Sequence, residues 1–127
     1  MRLLLDTHTW LWWVLGDSAL SPAARAYIAK GSEVLVSAAS AWEMAIKVGL
    51  GRLPAAMDLV TDFEAELSKD QFQLLTITAA HGIRAGLLPG SHKDPFDRML
   101  IAQAQAENLA IVSSDAIFDR YGVRRVW

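Results

Sequence analysis

Hydrophobic residues in this chain fall into short unbroken runs separated by longer stretches of helical period, an alternation that predicts an α/β fold. Leu3-Leu4-Leu5 has no polar interruption and stops at Asp6, which reads as a strand buried on both faces, inside a parallel sheet. Thr9 to Leu15 is apolar nearly all round and predicts a helix buried in the core or pressed on a partner. Trp10, Trp12 and Trp13 lie in it, and aromatics are enriched at interfaces, so this helix is a candidate homodimer or partner surface. Ser21-Pro22 supplies a cap and a first-turn proline for a helix to about Lys30. Glu33 to Val36 is a second short strand, Ala38 to Val48 a helix, and Ala55 to Ser68 another amphipathic helical stretch. Phe72 to Thr76 reads as a third strand and Thr78 to Gly86 as a short helix capped by Thr78, with His81 at a surface or core edge. Asp94-Pro95 caps and opens the next helix, Leu109 to Ser114 is a strand, and Gly122 to Trp127 closes as an edge strand.

The helix over Ala38 to Val48 carries only three polar residues, Ser40, Glu43 and Lys47, at spacing i, i+3, i+7. Ser40 to Glu43 fits a capping box, and Glu43 with Lys47 fits an i,i+4 ion pair. Neither explains why so greasy a helix keeps one polar stripe; a stripe facing a polar cleft does.

The 127 residues predict one domain spanning 1–127, large enough to bury a core. The absence of cysteine excludes a disulfide framework and thiolate chemistry, and suits a reducing, cytoplasmic setting. The first residues do not read as a signal peptide, and no apolar stretch approaches the ~20 residues of a membrane span. A net charge of −2 is wrong for a protein that holds nucleic acid by phosphate neutralisation alone. A nucleic-acid role would need a local basic patch or a bound cation.

Four carboxylates share one address in this reading. Asp6 ends the first strand, Glu43 lies early in the helix after the second, Asp97 sits in the first turn of the Asp94-Pro95 helix, and Asp115 ends the Leu109 to Ser114 strand. Ligands of open α/β sheets gather beyond the carboxyl ends of the strands. Asp97 joins the others only if its helix begins at that same edge, which a crossover of this length allows. Local roles compete: Asp6 caps a helix, and Asp97 favours a helix dipole. Four ionised carboxylates within ~5 Å would repel by about 3 kcal/mol per pair at an effective dielectric of ~20. Raised pKa values or a bound cation resolve that. An all-oxygen set suits Mg²⁺ or Mn²⁺, and such ions at a strand edge are the apparatus of phosphodiester hydrolysis.

Leu3-Leu4-Leu5-Asp6-Thr7-His8, Trp42-Glu43, Asp94-Pro95-Phe96-Asp97-Arg98-Met99-Leu100-Ile101-Ala102 and Val112-Ser113-Ser114-Asp115 together resemble the PIN domain. Within it they are most similar to the VapC toxins of type II toxin–antitoxin pairs. The resemblance covers nearly the whole chain, to the Tyr121-Gly122-Val123…Trp127 ending. It implies a three-layer sandwich with a five-stranded, mostly parallel sheet flanked by helices, the first strand central. It implies a Mg²⁺- or Mn²⁺-dependent endoribonuclease with Asp6, Glu43, Asp97 and Asp115 as catalytic acids and metal ligands. It also implies an RNA substrate, homodimerisation, and an antitoxin partner whose tail covers the pocket. Thr7 and Ser114 are candidates to orient the carboxylates, and Lys47, Lys93 and Arg98 to contact phosphates. Ser113-Ser114 stands where the family often has Thr-Arg, removing one expected basic contact. Asp94 is read as the helix cap. A nuclease of RNA maturation and a non-catalytic PIN-like binding module are the alternatives. A haloacid-dehalogenase-type phosphatase also starts from an Asp after strand one, but needs a second acid where this chain has His8.

Overall fold

Leu3, Leu4 and Leu5 are fully buried, and the strand they form, β1 (Arg2–Leu5), is the axis of the computed structural model, which describes residues 1–127. β2 (Glu33–Ser37) and β4 (Ala110–Val112) flank it, and β3 (Gln73–Leu75) and β5 (Arg125–Val126) form the edges, in the order β3-β2-β1-β4-β5. Every pairing is parallel, so the expected mostly parallel sheet is wholly so. The carboxyl ends of all five strands therefore lie at one edge.

Alternating side chains of each strand point to opposite faces and build two cores. Leu3, Leu5, Val34, Val36 and Val112 pack on one face against α1 (Thr7–Leu15), α2 (Pro22–Lys30), α3 (Ala38–Gly49), α4 (Met57–Thr61) and α5 (Phe63–Lys69). Leu4, Leu35 and Ile111 pack on the other against α7 (Pro95–Glu107) and Phe118. The result is the three-layer α/β sandwich that the resemblance implies. No helix is long and apolar enough to cross a membrane.

Local sequence rules were obeyed at most helix ends. Ser21 caps α2 with Pro22 behind it, Thr78 caps α6 (Ala79–Leu87), and Asp94 caps α7 through the backbone N–H groups of Phe96 and Asp97. Three expectations are corrected. Helix α3 is capped by Ser37, three residues before the expected Ser40, whose hydroxyl is instead buried against Thr7. The single stretch over Ala55 to Ser68 is a tight turn at Pro54–Ala56 followed by α4 and α5, broken at Asp62. His81 is buried, bonded to the Thr78 backbone N–H, to Glu107 and to Gln103, so it clamps α6 to α7.

The tryptophans of α1 are spent largely inside the molecule. Trp10 is fully buried and packs edge-on against Phe63. Trp12 meets Trp127, and Trp13 lies between Phe72 and the Arg25 guanidinium. Apart from Leu15 at the end of α1, the exposed apolar surface lies elsewhere. Trp42 is 61% exposed on α3, with Ile46 and Leu50 one and two turns beyond it, and Ile83 and Leu87 project from α6.

Candidate active site

The site is assembled by the parallel sheet and one helical hairpin. Asp6 follows β1 directly, Asp115 follows β4, and Glu43 rides on α3, which leaves the carboxyl end of β2. Asp97 arrives because α6 and α7 run antiparallel: His81 near the start of α6 bonds Glu107 at the end of α7, while Arg98 bonds the far end of α6. The start of α7 is thereby returned to the strand-end edge. One cleft of about 390 Å³ is lined by Asp6, Glu43, Asp97 and Asp115, together with Asp94, Lys47 and His8. Asp94 both caps α7 and faces this cleft, a fifth carboxylate whose position three residues before Asp97 was the available signal.

Each carboxylate is held by the protein. Asp6 accepts from the Ser113 hydroxyl at 2.7 Å and from the Thr7 backbone N–H at 2.8 Å. Glu43 pairs with Lys47 at 3.1 Å, and Asp97 bonds the His92 ring at 2.9 Å. Asp115 caps the turn Ala116–Tyr121 by accepting from the Ile117 N–H. Burial pushes the Asp6 carboxyl above its ordinary pKa, against its bonds to Ser113 and Thr7, and the Glu43 charge adds to the rise. Burial likewise raises Asp97 to about 6, opposed by the His92 bond and reinforced by the charges of Asp94 and Asp6. These acids thus sense one another electrostatically. As they stand, no three of them converge closely enough to grip one ion.

The candidates for supporting roles divide. The Thr7 hydroxyl donates to Ser40 rather than to a carboxylate; only its backbone N–H reaches Asp6. Ser114 lines the cleft, but the serine that bonds Asp6 is its fully buried neighbour Ser113, which also accepts from the Asp115 N–H. Sequence reading gave Ser113 no role, because hydroxyl after strand end is a common pattern and only the β1–β4 pairing brings it to Asp6. Lys47 lines the cleft, whereas Lys93 lines a neighbouring cavity. Arg98 is committed elsewhere. Four of its five N–H groups donate to the carbonyls of Ala85, Gly86, Leu88 and His92. It caps the C-terminus of α6 and is not free to hold a phosphate.

A family model for the PIN domain matches residues 3–124. The chain belongs to the PIN domain family. Among solved structures, this PIN domain is similar to the Mycobacterium tuberculosis VapC20 toxin, described as cleaving the sarcin–ricin loop. The two share 15% identity and a TM-score of 0.73, over 98% of each chain. It is also similar to a chain of Rickettsia felis VapBC2 bound to promoter DNA, at 16% identity and TM-score 0.67, over 99% of this chain and 98% of that one. DNA-bound VapBC of Salmonella typhimurium gives 16% and 0.67, over 99% and 97%. At these identities the likeness is one of fold. No curated protein sequence matches the chain.

Proposed function

We propose that this PIN domain is a Mg²⁺- or Mn²⁺-dependent endoribonuclease, the toxin of a type II toxin–antitoxin pair. The observation that carries the reading is the cleft itself, in which acids from separate elements meet at the carboxyl edge of the central strand. The VapC and VapBC names of the similar structures support the toxin assignment and an antitoxin partner.

The donor set fits a hard divalent cation, being all carboxylate oxygen and mutually repulsive without one. Asp6, Glu43 and Asp97 would hold it, with Asp115 acting through water or a second ion. Bound there, such an ion offsets the charge of carboxylates and phosphodiester and lowers the pKa of water. The chain's own residues do the positioning. Ser113 and the Thr7 N–H fix Asp6 at both oxygens, so that its orientation is set before any ligand arrives. Lys47 is paired with Glu43 at 3.1 Å and the His92 ring is bonded to Asp97 at 2.9 Å, so each of these carboxylates is held at the cleft by a neighbour. Lys47 lines the same cleft, where it would contact a substrate phosphate. The exposed apolar side chains of α3 and α6 support self-association through that face, beside the cleft rather than on α1.

Induction of the wild type in cells should arrest growth with RNA cleavage, and induction of Asp6→Asn should do neither. Equal toxicity of the two, or purified wild type that cleaves RNA equally in Mg²⁺ and in chelator, would overturn the reading.

A further inference from the structure

Beside the acidic cleft lies a second cavity of about 560 Å³, lined chiefly by Gly90, Ser91, His92, Lys93, Arg120 and Tyr121. The two spaces differ sharply in charge. Five carboxylates line the cleft, while no carboxylate lines the cavity and two exposed cations do. Lys93 and Arg120 form no ion pair within the chain, unlike Arg2, Lys47, Lys69 and Arg125. The spaces are joined through His92, which lines the cavity while its Nε2 lies 2.9 Å from Asp97 Oδ2. Tyr121 also lines the cavity, half-buried, with its side chain packed in part against the core around Phe118. Gly90, at φ +95°, lets the loop fold tightly onto Tyr121, since a Cβ there would stand 3.2 Å from the Tyr121 hydroxyl.

Unpaired cations beside an aromatic ring are the elements with which proteins hold single-stranded nucleic acid, the charges tracking phosphates and the ring stacking a base. The volume falls within the range of small-ligand clefts. We propose that this cavity is a nucleotide subsite, in which Lys93 and Arg120 take a phosphate and Tyr121 a base of the RNA nucleotide next to the scissile bond. The proposal rests on the nuclease reading above, and gives the strand a direction past the cleft, over His92. It also shows how a chain of net charge −2 engages a polyanion, by separating its cations from its acids. Lys93, Arg120 and Tyr121 are positioning residues here: they hold the strand and do not touch the reacting phosphate.

The test uses the full chain with a fluorescein-labelled single-stranded RNA of mixed sequence, binding being read by anisotropy in chelator. With one phosphate contact removed, and a slope of about −0.7 per contact, Lys93→Gln/Arg120→Gln should lose about 2.5-fold less affinity than wild type between about 50 and 200 mM salt. In Mg²⁺ the same variant should raise KM with kcat unchanged, and Arg120→Lys should restore part of the binding. Both cations are exposed, so the variant should melt as wild type does. RNA binding and salt slope unchanged in the double variant would overturn the subsite while leaving the nuclease reading intact. Failure of the wild type to bind RNA would overturn the subsite as well. A mononucleotide that binds in an Arg120-dependent way, with RNA indifferent to Arg120, would assign the cavity to a free phosphate compound and reject the strand. The nuclease reading is judged separately on the same preparations, by whether Asp6→Asn abolishes cleavage.

Discussion

Replacing Arg98 distinguishes a helix cap from a phosphate contact. Helix α6 ends at Leu87 without a glycine cap, and Leu88 is extended, so its last carbonyls have no intrahelical partner. The Arg98 guanidinium meets those at the helix end, Nε to Ala85 at 3.1 Å and Nη2 to Leu88 at 2.8 Å and Gly86 at 3.4 Å, and its Nη1 ties down the following loop at the His92 carbonyl, 3.1 Å away. It also places positive charge at the negative end of the helix dipole. The long bond to Gly86 contributes little; the other three, each worth about 1 kcal/mol net because water can replace part of each, sum to about 3 kcal/mol. Arg98→Met keeps the aliphatic stem and removes every donor. In urea its midpoint should fall by an amount corresponding to about 3 kcal/mol at constant m. Arg98→Lys should rescue little, because one ammonium cannot span four carbonyls set around a planar fork. Cleavage should also fall, since the loop that loosens carries His92, the partner of Asp97. A stability change within about 0.5 kcal/mol, combined with a reduced salt dependence of RNA binding, would refute the cap and restore the phosphate role.

Three further outcomes are expected. Asp97 has a folded pKa of about 6 against 3.8 for the free side chain, so the folded state holds its proton more tightly. Stability is therefore lost as pH rises from about 4 to 6, and Asp97→Asn should stabilise the metal-free protein above pH 6 by about 1 kcal/mol, screening by water having been allowed for, and by nothing near pH 3.5. Melting curves of the two proteins across pH check this, and a stabilisation independent of pH would sink it. Ser113→Ala removes the bond to Asp6 Oδ2 and should cut metal-dependent cleavage by about 10- to 100-fold, measured as activity against Mg²⁺ concentration; full activity would show that Asp6 needs no such support. Trp42→Glu with Leu87→Glu places charge on the exposed face of α3 and α6. It should yield a monomer by sedimentation where the wild type associates, and an unchanged mass would clear that face of any role in self-association.

Which features the sequence alone determined follows from the range over which each is decided. The strand Leu3 to Leu5 and the caps Ser21, Thr78 and Asp94 were legible because they depend on runs and turns of a few residues, whereas the central place of β1 was implied only by the family resemblance. The acids were legible as candidates from local patterns: Asp6 and Asp115 after apolar strands, Asp97 in a helix's first turn, and Glu43 on the single polar stripe of an apolar helix. That Asp97 reaches them was a condition on topology, met by the antiparallel α6–α7 hairpin that His81 and Arg98 tie at its two ends. Tertiary structure alone decided the partners. Ser113 reaches Asp6 across 107 positions, Ser40 turns inward to Thr7 instead of capping, and Arg98 is drawn to orphan carbonyls. It also decided which tryptophans face water: those of α1 are packed by Phe63, Phe72 and Trp127, while Trp42 is left outside. Side-chain type limits what a residue can bond, but which bond it makes depends on what the packed chain leaves unsatisfied within about 3 Å.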